Sequence, residues 1–284
     1  LEAGAHVEVA LPGALSRSYS LINPTGPRDR YVIAVNRDPA SRGGSAYMCE
    51  TVKVGDILDV SSPHNTFPLV ETAGTSTFLA GGIGITPMIA MAHRLHALGA
   101  DFELHYSAKS RSTAGYLGDL AKFGWSDKVT LHFSDDGTRA DLAAILKRYR
   151  QGWHVYTCGP DRYMNSVIEA AEHAGFPEGA RHLEYFSVPE QPDYENHPFV
   201  LRLAKSGKEF EVPADMTAAD LLVEKGYPID IKCSDGLCGV CQCGVLSGDV
   251  EHRDFVLSRK QRETTMILCQ SRAVQAGGVI TIDL

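Results

Sequence analysis

The chain has 284 residues, 44% hydrophobic residues and a formal net charge of −8, which is the composition of an ordinary globular protein with two or three domains. The negative charge disfavours general nucleic-acid binding, because such binding needs a basic surface. No uninterrupted apolar run reaches the roughly 18 residues of a membrane-spanning helix, so we expect no membrane segment. Seven cysteines, an odd number, favour the reducing cytoplasm over a disulfide framework.

Residues 1–73 form the first compositional block, and they predict a small antiparallel barrel. Short β-rich runs that are broken by Pro and Gly are typical of such a barrel. The runs cover residues 6–11, 31–36 and 57–60. An R-x-Y-S string follows the first run, and strand geometry places Arg17 and Tyr19 on one face with Ser20 on the other.

Residues 74–187 form the second block, in which apolar strands alternate with helical patterns. This alternation predicts an α/β domain with a parallel sheet. The predicted strands are residues 76–80, 102–107, 129–133, 154–158 and 182–185. Helices are predicted between them, for instance over residues 87–98 and 162–173.

Residues 188–198 contain three prolines, which predicts a semi-rigid interdomain linker. Residues 199–284 then predict an α+β domain. Its strands are predicted over residues 199–204, 209–212 and 279–283, and one helix over residues 218–225. That helix is capped by Thr217 and stopped by Gly226, while Ser258 and Gln261 form the capping-box signal of a further short helix.

The last block carries the most specific chemical signal, a C-x4-C-x2-C run with a fourth cysteine after a gap of 27 residues. This is the plant-type ligand spacing for a 2Fe-2S cluster, and the ligands are Cys233, Cys238, Cys241 and Cys269. Structural zinc and a set of buried thiols are the alternatives, although zinc sites usually pair one C-x2-C with a second. Cys243 is interpreted as a small packing residue.

A glycine-rich run over residues 79–87 follows the first strand of the second block and leads into a helix. Gly82 and Gly84 let the backbone approach a pyrophosphate at a helix N-terminus, where amide donors favour anions. The alternative is a tight strand-to-helix connection without a ligand. Cys158 and Gly159 end the fourth strand, so they are expected at the same sheet edge as the glycines.

The first block offers a flavin site. An isoalloxazine needs an aromatic ring and a hydrogen-bond donor, and its phosphate tail needs a guanidinium, which Tyr19, Ser20 and Arg17 supply. Gly44 and Ser45 are predicted to begin a short helix whose amides hold the phosphate. The alternative is that Tyr19 packs and Arg17 is a solvated charge on the barrel surface.

In their order along the chain, these motifs resemble the phthalate dioxygenase reductase family, the single-chain reductases of Rieske-type oxygenases within the ferredoxin-NADP reductase superfamily. The order is R-x-Y-S, G-G-S, G-G-I-G-I-T-P-M, C-G-P and the cysteines, followed by H-R-D. The resemblance implies a multidomain fold: an antiparallel β-barrel that binds FMN, a parallel α/β domain that binds NADH, and a β-grasp ferredoxin domain. The family's first barrel strands are not found, so we expect the barrel to be N-terminally incomplete.

The resemblance also implies roles for individual residues. Flavin contacts are carried over to Arg17, Tyr19, Ser20, Gly44 and Ser45. Dinucleotide contacts are carried over to Gly82, Gly84, Thr86, Cys158, Gly159 and Pro160. The residues at the reacting rings are Ser20, Cys158 and Phe186. Phe186 matches the aromatic that covers the flavin until nicotinamide displaces it, and its alternative role is that of a core residue at a strand end.

The preference between the two dinucleotides rests on charges after the second and third strands of the α/β block. Asp135 and Asp136 would repel a 2′-phosphate, and Asp135 could accept a hydrogen bond from a ribose hydroxyl, which favours NADH. Lys109 and Arg111 could bind a 2′-phosphate, which favours NADPH. Solvated surface charges are the alternative for both groups. The resemblance decides for NADH.

The implied cofactors differ in the number of electrons that each transfers at a time, and together they form a chain. NADH gives a two-electron hydride, the cluster accepts one electron at a time, and a flavin can stand between them. We therefore expect a cytoplasmic oxidoreductase that reduces a Rieske-type oxygenase in aromatic catabolism. The alternatives are a reductase module for a haem-thiolate monooxygenase, a ferredoxin-like carrier without flavin, and FAD in place of FMN.

Overall fold

The computed structural model describes residues 2–13, 15–23, 29–38, 43–189 and 191–284. The chain divides into two compact units, Leu1–Phe186 and Ser187–Leu284, and each is described by itself. Within the described ranges, no helix has both the length and the apolar character that crossing a membrane would require.

The first unit begins with an antiparallel hairpin of β1 (His6–Leu11) and β2 (Leu15–Ser20), followed by helix α1 (Gly44–Glu50). The outer edge of β1 also pairs through isolated bridges from His6 to His64 and from Val9 to Val60. Strand β1 thus lies between β2 and residues 60–64, which is the described part of the barrel. Its small core is formed by Ala5, Val7, Leu21 and Ile33.

Two strands predicted for the barrel are wrong. Residues 31–36 form no strand: the Val32 carbonyl accepts from the Ile22 amide at 2.9 Å, but the Val32 amide donates to the Asn23 side chain, whose Oδ1 accepts it at 2.9 Å. Of residues 57–60, Val60 forms a bridge with Val9 and the Asp59 carbonyl accepts from the Ala10 amide at 3.0 Å, while Ile57 is 95% exposed. Local β propensity cannot specify a strand when the backbone pairing does not continue along the segment.

The rest of the first unit is a five-stranded parallel sheet with helices between its strands. In chain order the elements are β3 (Ser76–Gly81), α2 (Ile85–Leu98), β4 (Phe102–Ala108), α3 (Leu117–Leu120), β5 (Val129–Phe133), α4 (Leu142–Leu146), β6 (His154–Cys158), α5 (Asp161–His173) and β7 (Arg181–Glu184). All five predicted strands and both predicted helices lie within two residues of these bounds. The spatial order is β5-β4-β3-β6-β7, so the chain reverses direction across the sheet between β3 and β6. Ligands of such sheets bind at this reversal, beyond the carboxyl ends of the strands.

Strand β3 lies at the centre of the sheet, and all six of its residues are buried. Its side chains alternate between two apolar clusters. Phe78 packs in one cluster with Met88 and Tyr156, while Leu79 packs in the other with Val167. Because an apolar cluster packs on each face of β3, the end of this strand has a fixed position, and so does the glycine-rich turn that follows it.

The second unit is a mixed five-stranded sheet with the spatial order β12-β10-β14-β8-β9, together with a two-stranded sheet of β11 and β13. In chain order its elements are β8 (Phe199–Leu203), β9 (Glu209–Val212), α6 (Ala218–Glu224), β10 (Gln242–Ser247), β11 (Val250–Glu251), α7 (Arg259–Arg262), β12 (Thr265–Ile267), β13 (Arg272–Ala273) and β14 (Val279–Ile282). The predicted caps of both helices are present: Thr217 Oγ1 accepts from the Asp220 amide, and Ser258 and Gln261 form a capping box.

Two buried arginines fasten the end of the predicted linker to the second unit. The Arg272 guanidinium donates to the carbonyl oxygens of His197, Pro213 and Met216 at 2.7–2.9 Å. Arg253 donates to Asn196 Oδ1 at 2.6 Å, and its guanidinium lies 4.3 Å from the centre of the Tyr194 ring. This part of the predicted linker is therefore packed on the second unit.

Replacing Arg272 by Ala is expected to destabilise the second unit by about 3 kcal/mol, because three carbonyl oxygens lose a charged, buried donor. Arg202→Ala is the matched control, since that arginine is exposed and pairs with Glu209 at the surface. We expect it to cost less than about 1 kcal/mol. Urea unfolding of the intact chain, followed by circular dichroism, measures both. Equal losses in the two variants would show that Arg272 does not anchor the segment.

Candidate functional site

Two turns touch at the reversal point of the parallel sheet, one after β3 and the other after β6. A Cβ atom added to Gly84 would lie 2.2 Å from the carbonyl oxygen of Cys158, and one added to Gly159 would lie 2.8 Å from the Cα of Gly81. Only glycine permits backbones to approach this closely. Gly84 and Gly159 therefore serve the contact between the turns, whereas the Cα of Gly82 faces open space.

Thr86 and Pro160 shape these turns. Thr86 is buried, and its hydroxyl donates to the carbonyl oxygen of Ile83 at 3.1 Å, so its hydrogen bond stays within its own turn. Pro160 occupies the N-cap of α5, where its ring packs against Gly81. That either residue contacts a dinucleotide stays a prediction.

Cys158 and Glu184 are register partners at the carboxyl ends of β6 and β7. Burial raises the pKa of the Cys158 thiol well above its ordinary value, and the neighbouring Glu184 raises it further. Burial also raises the pKa of Glu184 to about 8. Its Oε2 is buried and has no hydrogen-bond partner among the described residues. A neutral thiol and a protonated carboxyl therefore lie side by side at the crevice near pH 7.

Sequence analysis missed Glu184, although a signal was present. It is an acidic residue at the carboxyl end of a parallel strand, where open α/β sheets place ligand-facing groups. A carboxyl group buried there without a basic partner is a candidate functional group.

Ser20 ends β2 and is buried, yet its hydroxyl has no hydrogen-bond partner within the part of the chain that the structure describes. Tyr19, the preceding residue, is half-buried, and this burial raises the pKa of its phenol. Burying an unpaired hydroxyl costs free energy unless a bound group satisfies it. Such an orphaned hydroxyl fits the polar edge of a bound group.

Gly44, at the start of α1, lies against Arg17. A Cβ atom at Gly44 would meet the Arg17 Nε at 3.0 Å, so the glycine allows the first turn of α1 to approach the guanidinium. The Ser45 hydroxyl accepts from the Asp38 amide at 3.2 Å. Backbone amides and a guanidinium in one place fit a phosphate group.

Phe186 follows β7 and is 45% exposed. Phe186 is therefore not a core residue, and the alternative role that was considered for it is wrong.

Asp135 lies in the turn after β5, and its amide donates to the carbonyl oxygen of Lys109 at 3.0 Å. The acidic and basic residues that bear on dinucleotide preference thus occupy neighbouring turns.

The four predicted ligand cysteines lie together in the second unit. The thiol of Cys233 is hydrogen-bonded to those of Cys238 and Cys269, and Cys269 is also bonded to Cys241. These contacts lower the pKa of Cys233 and bring that of Cys241 to about 7, while they raise the pKa values of Cys238 and Cys269.

The loop that carries three of these thiols requires glycine. Gly236 and Gly239 have φ angles of 73° and 69°, and a Cβ atom at Gly236 would lie 3.1 Å from the Cα of Asp254. Nowhere in the described ranges do three or more His, Cys, Asp or Glu side chains form a site for one metal ion. The spacing of the four cysteines fits a two-iron cluster, in which each iron takes two thiolates.

Cys243 is separate from this group. It lies in β10 opposite Met266 and packs half-buried against the core of the second unit, where burial raises its pKa. The structure thus agrees with its interpretation as a packing residue.

Known proteins match both the cysteine loop and the whole chain. The family model of the 2Fe-2S iron-sulfur cluster binding domain matches residues 201–274. The chain is 43% identical, over its full length, to the phenoxybenzoate dioxygenase subunit beta of Ectopseudomonas oleovorans, and it covers 88% of that protein. It is 37% identical to the solved structure of phthalate dioxygenase reductase, with a TM-score of 0.68 and coverage of 100% of this chain and 88% of that chain. The chain belongs to the phthalate dioxygenase reductase family.

Membership of the phthalate dioxygenase reductase family confirms the multidomain fold class and the oxidoreductase class that the sequence predicted. An intact type IV self-sufficient cytochrome P450 monooxygenase is also similar, with a TM-score of 0.86 and 38% identity. That match covers 100% of this chain but 37% of the monooxygenase. The reductase fold therefore also occurs as one segment of a longer protein.

Glu184 is expected to make the stability of the reductase fall as the pH rises. Its pKa is about 8 in the folded chain against an ordinary 4.5, so the folded state binds more protons between these values, and ionisation at higher pH favours unfolding. The slope contributed by one such group is at most about 1.4 kcal/mol per pH unit.

The measurement compares urea unfolding of the wild type and Glu184→Gln from pH 6.5 to pH 8. His182, whose pKa is lowered to about 4 by burial, acts with the opposite sign below pH 6.5, so this window avoids it. The variant should lose the downward slope. Parallel curves for the two proteins would contradict the protonated carboxyl.

Cys238→Ser is expected to remove most of the iron and inorganic sulfide bound per chain, because one iron loses a thiolate. Cys243→Ser is the matched control, since Cys243 lies near the loop but outside the thiol group, and it should keep both at the wild-type level. Iron and sulfide analysis with visible absorbance measures the difference. Loss of the cluster in the Cys243 variant would place that residue among the ligands.

Proposed function

We propose that this chain is the NADH-dependent reductase component of an oxygenase system. It would take a hydride from NADH and deliver single electrons, through FMN and a 2Fe-2S cluster, to the oxygenase. The observation that carries the proposal is the presence in one chain of four neighbouring thiols, linked one to the next, and a glycine-lined crevice at the reversal of a parallel sheet. The solved relative, phthalate dioxygenase reductase, transfers electrons from pyridine nucleotides to [2Fe-2S].

The proposed domain order is a flavin region over residues 1–73, a dinucleotide region over residues 74–187 and an iron-sulfur region over residues 199–284. Bound flavin supplies the conversion of a two-electron hydride into single electrons. The chain's own residues hold and orient it. The unpartnered Ser20 hydroxyl meets the polar edge of the isoalloxazine, and Tyr19 gives it an aromatic surface.

The flavin phosphate is assigned to the place where Arg17 and the first turn of α1 meet. Gly44 keeps this place open, because a Cβ there would lie 3.0 Å from the Arg17 Nε and the side chain would have to shift. The guanidinium and the first amides of the helix, including that of Ser45, supply donors to the phosphate oxygens. FMN, which ends in this phosphate, needs no further adenine pocket.

The dinucleotide is assigned to the crevice beside Gly82, with its nicotinamide near Cys158 and Glu184. Cys158 is neutral and buried, so it packs against the ring and does not act as a nucleophile. Protonated Glu184 holds a proton at the crevice and can donate a hydrogen bond to a polar substituent. Phe186 is the exposed aromatic that covers the reacting face when no nicotinamide is bound.

The electron acceptor is proposed to be a Rieske-type oxygenase. Support comes from relatives that are named as parts of oxygenase systems, among them the phenoxybenzoate dioxygenase subunit beta. A second candidate is a haem-thiolate monooxygenase, because the self-sufficient P450 has a TM-score of 0.86 with this chain. Reduction rates with purified proteins of each class, under equal conditions, separate the two.

Anaerobic titration with NADH tests the proposal as a whole. We expect bleaching of both flavin and iron-sulfur absorbance, and chromatography of the flavin released on denaturation should give FMN. A protein that dithionite bleaches but excess NADH does not bleach would contradict the proposed function. Iron-sulfur bands without any released flavin would identify a simple electron carrier, and released FAD would contradict the assignment of FMN.

Cys158→Ala is expected to slow hydride transfer from NADH by about tenfold, which corresponds to about 1.4 kcal/mol of lost transition-state stabilisation, because the nicotinamide loses a packing surface. Flavin content should stay at the wild-type level, since Cys158 lies in the dinucleotide crevice. Stopped-flow absorbance measures the rate, and the released flavin gives the content. Loss of flavin in this variant would overturn the assignment of Cys158 to the nicotinamide.

A further inference from the structure

Arg253 is the central residue of the H-R-D sequence, and the proposed function gives it no role. It is 8% exposed, so its guanidinium is almost fully buried in the second unit. A buried charge needs partners, because it has lost its hydration. Glu251, the last residue of β11, supplies one of them: its Oε2 accepts from the Arg253 Nε at 2.7 Å.

The other contacts of Arg253 reach the predicted linker. Its Nη1 donates to Asn196 Oδ1 at 2.6 Å, and its Nη2 donates to the carbonyl oxygen of Glu195 at 3.3 Å. The guanidinium carbon lies 4.3 Å from the centre of the Tyr194 ring, within range of a cation–π interaction. The Arg253 carbonyl oxygen accepts from the Gln191 Nε2 at 3.1 Å. One residue therefore binds four positions of the linker.

These contacts divide the linker into an anchored part and a short tether. The tether is residues 187–190, which lie between Phe186, the last residue of the first unit, and Gln191, the first residue that Arg253 binds. Consecutive Cα atoms advance by at most about 3.6 Å, so the five steps from Phe186 to Gln191 span at most about 18 Å.

Without Arg253 the tether would extend to residue 196. His197 would stay anchored, because its carbonyl oxygen accepts from the Arg272 guanidinium at 2.9 Å. The tether would then have ten residues, 187–196, in place of four. The effective concentration of a tethered group falls roughly as the −3/2 power of the tether length, which gives a decrease of about fourfold.

We propose that Arg253 is a positioning residue for electron transfer within the chain: it keeps the tether short, and so it keeps the effective concentration of the cluster at the flavin high. The inference rests on the proposed function, because it needs a flavin in the first unit and a cluster in the second. The step moves one electron. The reduced flavin loses it and one ferric ion of the cluster becomes ferrous, with no bond made or broken.

The test uses the intact reductase with its cofactors. A laser flash in the presence of EDTA reduces the bound flavin without NADH, and the iron-sulfur absorbance then reports the transfer. Arg253→Ala should slow this transfer by about fourfold, with flavin, iron and sulfide contents at the wild-type level. Arg202→Ala is the matched control, since it removes an exposed arginine of the same unit that pairs with Glu209, and it should keep the wild-type rate.

The tether can also be lengthened without a change at Arg253. Six Gly and Ser residues inserted between Ser187 and Val188 should slow the transfer by about fourfold, and adding the insertion to Arg253→Ala should slow it only about twofold further. Effects of Arg253 that did not act through the tether would multiply with those of the insertion. An unchanged rate in Arg253→Ala or in the insertion variant, or effects that multiply fully, would overturn the inference.

Substitutions on the linker side keep the test independent of the folding of the second unit. Tyr194→Ala combined with Asn196→Ala leaves Arg253 and Glu251 in place, and it should slow the transfer by about two- to fourfold. Hydrogen exchange at the amides of residues 191–196, measured by mass spectrometry, should be faster in this variant and in Arg253→Ala, because the segment is released. Exchange at the wild-type rate in both would show that Arg253 does not hold the segment, and it would refute the inference.

The failure of the inference is distinguishable from that of the proposed function. A wild type that transfers electrons after the flash, but that NADH does not reduce, refutes the proposed function alone, and the rate in Arg253→Ala still decides the role of that residue. A wild type that NADH reduces, with the same transfer rate in Arg253→Ala, refutes the inference alone. A chain that carries no flavin refutes both, since the cluster then has no donor within the chain.

Discussion

The first unit depends on the direct contact between the turn after β3 and the turn after β6. The backbones touch at Gly84 with Cys158 and at Gly81 with Gly159, at distances that no Cβ atom could share. This contact closes the sheet at its reversal point, and it brings the end of β6 beside the start of α2. Cys158 is buried as a result, and the crevice for a ligand opens beyond it.

Burial at this edge sets the chemistry of the crevice. Ionised carboxyl and thiol groups are costly inside a protein, so burial raises the pKa values of both Cys158 and Glu184 and favours their neutral forms near pH 7. A neutral pair is suited to packing and hydrogen bonding around a nicotinamide ring. Placement of the cofactors, with no acid, base or nucleophile in the main step, is what such an electron-transfer protein has to provide.

The α/β domain was predictable because its signals are local and repeated. The strands from β3 to β7 alternate with helical patterns and are bounded by turn residues, and the observed ends differ from the predicted ones by two residues at most. The barrel was less predictable. Residues 31–36 have the composition of a strand, but the Asn23 side chain bonds to Val32 where a strand partner would lie. Whether an extended segment becomes a strand depends on a partner that its own composition does not reveal.

The sequence by itself determined the cysteine spacing, the glycine turns and the order of the domains' motifs, because these are patterns that can be read along the chain without its packing. The tertiary structure alone decided the partnerships between segments. Glu184 lies beside Cys158 because β6 and β7 pair in a particular register, and the Asp135 amide bonds to the Lys109 carbonyl because two neighbouring strands end at one edge. Pairings of this kind arise from long-range packing, and the burial that shifts a pKa exists only after the chain has folded.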